Sequence, residues 1–149
     1  MSILVDTNVL SRIAEPHHRQ NAAAAGAVHR LLTEGKVINI VPQNAYEFWV
    51  VATRPVSSNG LGMTTADANA FLDQLFRIVK LLPETPDIFP EWQKLVNAVD
   101  CKGKSAHDAR LVAAMRVHGI SEIITFNRAD FVRYPGITIT APEDVVARP

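Results

Sequence analysis

Ile3-Leu4-Val5-Asp6-Thr7-Asn8 is an apolar run that stops on a carboxylate. Three aliphatic residues bounded by polar ones read as a short buried strand. Helical and strand patterns then alternate to the end of the chain, which places this strand in a parallel sheet with helices on both faces. In such open sheets ligands gather beyond the carboxyl ends of the strands. Asp6 therefore stands where chemistry is expected.

Outward from that strand, Val9, Leu10 and Ile13 line a short helix ending at Glu15-Pro16, and an alanine-rich helix over roughly 19–34 stops at Gly35. Val37 to Val41 is a second strand, and Pro42 suits the first turn of a helix that runs to about Thr53. Arg54 to Met63, with proline, serines, asparagine and two glycines, reads as a flexible surface loop. Thr64-Thr65-Ala66-Asp67 resembles a capping box ahead of a helix lined by Phe71, Leu72, Leu75 and Phe76. Val79 to Leu82 is a third strand, followed by a helix through Trp92, Leu95, Val96 and Val99. After the turn at residues 100–104, Ser105 is expected to cap a further helix, and Ile120 to Thr125 and Ile137 to Thr140 complete five strands. No repeat or linker interrupts the pattern, so residues 1–149 are expected to form a single domain.

The 48% apolar content is that of a globular protein. No signal-peptide pattern opens the chain and no apolar run approaches the roughly 20 residues that span a bilayer, which points to the cytoplasm and to no membrane. Cys101 is alone, which removes a disulfide framework and a cysteine zinc site. A net charge of zero argues against a broad binder of duplex DNA but leaves a nuclease open, because bound metal supplies charge at the phosphate.

Three later positions match Asp6 in kind: Glu47, Asp108 and the stretch Asn127 to Asp130. Each has a plain alternative. Asp6 fits a helix N-cap. Glu47 fits the partner position of a cap at Asn44, yet with Val50 and Val51 it also heads an apolar face turned to the sheet. Asp108 fits a capping box with Ser105, yet Leu111, Val112 and Met115 put it at the head of the core-facing stripe. Asn127 and Asp130 fit an ordinary turn after a strand. His107, next to Asp108, points away from it on the helix and reads as a surface group, while Trp49 and Trp92 read as core. Together a strand end, two helix starts and a second strand end converge on one edge of the sheet. Clustered carboxylates call for a cation, and Mg²⁺ or Mn²⁺ with phosphodiester chemistry is the leading expectation.

Ile3-Leu4-Val5-Asp6-Thr7-Asn8-Val9-Leu10, Glu47-Phe48, Arg54-Pro55, Ser105-Ala106-His107-Asp108-Ala109-Arg110-Leu111-Val112, Ile124-Thr125-Phe126-Asn127, Asp130-Phe131 and Pro135-Gly136-Ile137 follow one another in the order of a known family. Through them the whole chain resembles a PIN-domain protein, and specifically a VapC-like toxin of a type II toxin–antitoxin pair. The resemblance implies an α/β fold, a three-layer α/β/α sandwich around a five-stranded parallel sheet. It implies a ribonuclease that uses Mg²⁺ or Mn²⁺, a VapB-like antitoxin partner and a homodimer. Carried over by position, Asp6, Glu47 and Asp108 match the metal-binding carboxylates. Asn127 falls where many members carry a fourth aspartate, with Asp130 the nearest substitute. Thr7, Asn8, Arg110 and Arg128 are expected to hold the RNA substrate. Two rivals remain. One is a non-catalytic PIN-like module that binds RNA or protein. The other is a phosphatase with Asp6 as nucleophile, which Asn8 disfavours because a second acid belongs there.

Overall fold

The computed structural model describes all residues, Met1–Pro149. Its elements in chain order are β1 (Ser2–Val5), α1 (Thr7–Ile13), α2 (Asn21–Thr33), β2 (Val37–Ile40), α3 (Pro42–Thr53), α4 (Thr65–Leu75), β3 (Lys80–Leu81), α5 (Ile88–Ala98), α6 (Ser105–Val117), β4 (Glu122–Ile124), β5 (Thr138–Thr140) and α7 (Pro142–Val146). The five strands form one sheet in the order β3-β2-β1-β4-β5, and every pairing is parallel. The expected architecture is the observed one.

Strand alternation sorts the side chains into two cores. Ile3 and Val5 join residues of α1, α2, α3, α4 and α7 on one face. Leu4 joins residues of α5 and α6 on the other. Both faces of β1 are therefore sealed, as a central parallel strand requires. Its register places Val5 opposite Ile124 of β4, so the residues that follow them, Asp6 and Thr125, emerge together at the sheet edge.

Several local expectations change. The segment from Arg54 to Met63 is stitched to the end of α3, with Gly60 N–H bonding the Pro55 carbonyl, Leu61 N–H that of Val51, Gly62 N–H that of Arg54 and Met63 N–H that of Ala52. It is a folded loop, and Gly60 is required in it: a Cβ there would lie 1.9 Å from the Arg54 carbonyl oxygen. Ser105 is the first residue of α6 and does not cap it; its hydroxyl donates to the Lys102 carbonyl at 2.8 Å. α7 was not foreseen. It is a single short turn whose Val145 completes the first core beside α2. No helix is long and apolar enough to cross a membrane.

Candidate metal-dependent nuclease site

Asp6 stands at the hinge between β1 and α1 and does two jobs at once. It is the N-cap of α1, its Oδ1 accepting the Thr7 N–H at 2.8 Å. Its Oδ2 accepts the Thr125 hydroxyl at 2.7 Å and the Asn8 side-chain amide at 3.3 Å. Asn8 also donates to Thr125 Oγ1 and accepts from the Phe126 N–H, which ties the end of β4 to the first turn of α1. Burial pushes the Asp6 carboxyl up to about 6 despite the hydrogen bonds from Thr125 and Thr7 that favour its charge; the charges of Glu47 and Asp130 raise it further.

Glu47 comes from the second turn of α3. The cap partner on this helix is Asn44, whose Oδ1 accepts the Val41 N–H at 2.9 Å, so Glu47 has no capping role. Phe48 and Ala52 face the core of this helix; Val50 is 57% exposed, and Val51 lies half-buried on the same flank as Glu47. Half-buried on the flank, Glu47 Oε1 accepts weakly from the Thr7 hydroxyl and from the Gln43 amide, each at 3.3 Å. The buried Gln43 also donates to the His107 carbonyl at 2.8 Å, joining α3 to the first turn of α6.

Asp108 rises from that first turn. Because α6 begins at Ser105, Asp108 lies one position too far along to close a capping box, and its carboxylate accepts no hydrogen bond from the protein. Burial is the largest cause that pushes it up to about 7, followed by the charges of Asp130, Asp6 and Glu47, with Arg133 acting the other way. A cleft of about 360 Å³ is lined by Glu47, Lys104, Ser105, His107, Asp108 and Asp130. Asp130 belongs to the 3-10 turn Arg128–Asp130 after β4. Asn127 is exposed, donates its backbone N–H to Thr125 Oγ1 and does not line the cleft.

The other expected residues are placed as follows. Thr7 Oγ1 accepts from the Asn44 amide while donating to Glu47, and the half-buried Asn8 is engaged as described. Arg110 pairs with Glu84 at 2.7 Å and reaches Gln43 at 3.4 Å; Arg128 stands 3.8 Å from Asp144. His107 is exposed. Trp92 packs partly buried, with its indole N–H on the Ala106 carbonyl at 2.8 Å.

Two residues were missed from the sequence. Thr125, fully buried, is the hydroxyl closest to Asp6, and only the β1–β4 register makes it a neighbour. Gln43 was legible as the residue one helical turn before Glu47, on the same face.

The donor set suits a hard divalent cation. Four carboxylates feel one another across the cleft, and two are held above their usual range by burial and by like charges that a cation would relieve. No three acidic, histidine or cysteine side chains already stand close enough to enclose an ion.

The PIN domain family model matches residues 3–137, and the chain belongs to that family. Solved structures share its fold. VapBC2 from Rickettsia felis, bound to a DNA fragment from its promoter, superposes with a TM-score of 0.71 at 13% identity, over 95% of this chain and 98% of that one. VapC20 of Mycobacterium tuberculosis, a toxin that cleaves the sarcin–ricin loop, gives 0.59 at 22% identity over 81% and 86%. A toxin–antitoxin complex from Klebsiella pneumoniae gives 0.65 at 21% identity over 94% and 97%. No curated protein matches the chain in sequence.

Proposed function

We propose that the chain is a Mg²⁺- or Mn²⁺-dependent endoribonuclease that hydrolyses RNA phosphodiester bonds as the toxin of a type II toxin–antitoxin pair. The observation that carries this reading is the convergence of Asp6, Glu47, Asp108 and Asp130 at one sheet edge, with Asp6 and Asp108 held above the usual carboxylate range. Membership of the PIN family and a fold shared with an RNA-cleaving toxin support it.

Asp6 and Asp108, with Glu47 beside them, would hold the ion. A divalent cation supplies positive charge at the scissile phosphate and lowers the pKa of an attacking water. The residues of the chain fix where that happens. Thr7 N–H and Thr125 Oγ1 aim the two oxygens of Asp6, Thr7 Oγ1 and Gln43 hold one oxygen of Glu47, and Asp108 is left without a partner and open to the cleft. Lys104, on the cleft wall, is placed to meet the flanking RNA backbone, a contact that positions substrate without reading its sequence. A VapB-like antitoxin, a homodimer and the cytoplasm complete the reading, by likeness to the toxin–antitoxin complexes.

Incubation of purified protein with mixed RNA tests it. Cleavage should appear with Mg²⁺ or Mn²⁺, stop with EDTA and be absent in Asp108→Asn. RNA binding that persists with no cleavage under any of these metals would favour the rival reading, a PIN-like module that holds RNA without cutting it.

A further inference from the structure

A second hollow of about 620 Å³ opens beside the carboxylate cleft, shares Glu47 with it and is lined also by Thr7 and Asn8. Its far wall is the folded loop after α3, and it lies within the roughly 300–1,000 Å³ of small-ligand pockets. Two arginines line it, and they differ. Arg12 is neutralised by Glu15 at 2.6 Å and held by Gln20 at 3.1 Å. Arg54 takes part in no ion pair. Its Nη2 donates to the Asn59 carbonyl at 3.1 Å, and its Nε is buried without a partner. A guanidinium offers five N–H donors in a planar fork suited to phosphate, and the half-buried Arg54 still presents donors toward the hollow with no carboxylate of the chain paired to it. His18 adds a donor: its Nδ1 accepts the Gln20 N–H at 3.0 Å, which leaves the ring proton on Nε2. Val51, Val56 and Leu61 supply an apolar wall against which a base can lie.

We propose that this hollow is a nucleotide subsite, which takes the nucleotide next to the scissile bond of a single-stranded RNA and seats that nucleotide's phosphate on Arg54. The proposal rests on the ribonuclease reading for the direction of the strand, because an RNA whose scissile phosphate lies at Asp6 and Asp108 passes Glu47 into this hollow. A single strand is required, since only an unstacked base can turn into a pocket. Gly60 packs its backbone against that of Arg54, which fixes the arginine at the end of α3.

Binding of a fluorescent, mixed-sequence oligoribonucleotide in EDTA tests the subsite without any cleavage. Arg54→Gln should weaken binding by about tenfold or more, the loss of one charge-assisted contact. The plot of log affinity against log salt should flatten by about 0.7, the value of one phosphate on a single strand, and Arg54→Lys should keep the slope. Bound RNA should also protect Arg54 of the wild type from phenylglyoxal, read by peptide mass, which holds whether or not the variant folds. With Mg²⁺, a ladder of substrates lengthened one nucleotide at a time should show a step in kcat/KM in the wild type that Arg54→Gln lacks. Equal affinity and salt slope in Arg54→Gln, or modification of Arg54 unaffected by RNA, would overturn the subsite even if the enzyme cleaves. Loss of binding to a copurified protein partner with RNA affinity intact would likewise overturn it and give the hollow to that partner. Arg54-dependent RNA binding with no cleavage would leave the subsite standing and remove the nuclease reading.

Discussion

Asp6 and Asp108 are the two carboxylates most displaced from their ordinary range, and they reach that state by opposite routes. Asp6 is nearly buried and fully furnished, with a backbone amide, a threonine hydroxyl and an asparagine amide on its oxygens. Asp108 is only partly buried, accepts nothing from the protein and faces three other carboxylates. Asp6 is thus oriented by the fold, whereas Asp108 is left to be completed from outside. Their separate origins, a strand end on β1 and the first turn of α6, let one be rigid and the other receptive.

Removing the two charges should have the greatest effect. Asp6→Asn and Asp108→Asn should each cut metal-dependent RNA cleavage by at least about 100-fold, since loss even of a residue that only supports a metal ligand costs about 10–100-fold. Initial rates at saturating Mg²⁺ check this. Turnover near the wild type in both variants would dissolve the assigned site.

Stability should then separate the two. Asp6→Ala strands the Thr125 hydroxyl and the Thr7 N–H, and a buried unsatisfied group costs about 1–3 kcal/mol. Asp108→Asn strands nothing and removes a charge that Asp130, Asp6 and Glu47 oppose. In EDTA at pH 8 Asp108→Asn should therefore melt above the wild type, whereas in Asp6→Ala the stranded groups offset the relief of a buried charge, so that variant should melt below Asp108→Asn. Saturating Mg²⁺ should raise the melting point of the wild type and shift Asp108→Asn far less. If Asp6→Ala melted as high as Asp108→Asn, the distinction between an oriented and an open carboxylate would be lost.

Much of this was legible before the fold was known. Ile3-Leu4-Val5 announced a buried strand, the stripe Leu111, Val112 and Met115 turned α6 inward, and the positions of Asp6 and Asp108 followed from both. What sequence could not supply was register. The pairing of Val5 with Ile124 decides that Thr125 meets Asp6, and nothing local to Thr125 encodes it. Helix starts were the second gap. One residue's difference at Ser105 separates a capping aspartate from a free one, because helix ends depend on which neighbour satisfies the first amides. At five residues, α7 is too short to display a period, so its burial arises only from packing on α2.

Proton linkage gives a finer measure. The Asp6 and Asp108 carboxyls have folded values of about 6 and about 7 against an ordinary 3.8. Below about pH 4 they are protonated in both folded and unfolded chains, and they favour the folded state most. As pH rises toward 7 the unfolded chain releases its protons first, so the metal-free protein loses this contribution, which is gone above about pH 7. The wild-type melting point in EDTA should thus fall, relative to that of Asp108→Asn, between pH 4 and 7. Mg²⁺ should bind more tightly across the same interval, because it competes with these protons. Parallel wild-type and Asp108→Asn profiles would show that Asp108 titrates normally.

The smallest expected effect concerns the turn after β4. Asp130 lines the cleft and its like charge is the largest influence on Asp108 after burial itself, whereas Asn127 lies outside the cleft. An amide donates an oxygen to a metal but no charge to offset it. Asp130→Asn should therefore raise the Mg²⁺ concentration for half-maximal cleavage several-fold, to about 10-fold at most, as for residues that support a metal ligand. Asn127→Ala should leave it within about twofold, and Asn127→Asp, by adding a charge at the rim, should be tolerated and lower it slightly. Asp130→Asn should also relieve Asp108, so in EDTA its melting point should fall less steeply between pH 4 and 7. The two readings separate cleanly. A changed Mg²⁺ requirement with an unchanged pH profile would make Asp130 a ligand that does not act on Asp108. A Mg²⁺ titration lying on the wild-type curve would confine the metal to Asp6, Glu47 and Asp108 and leave Asp130 as a turn residue.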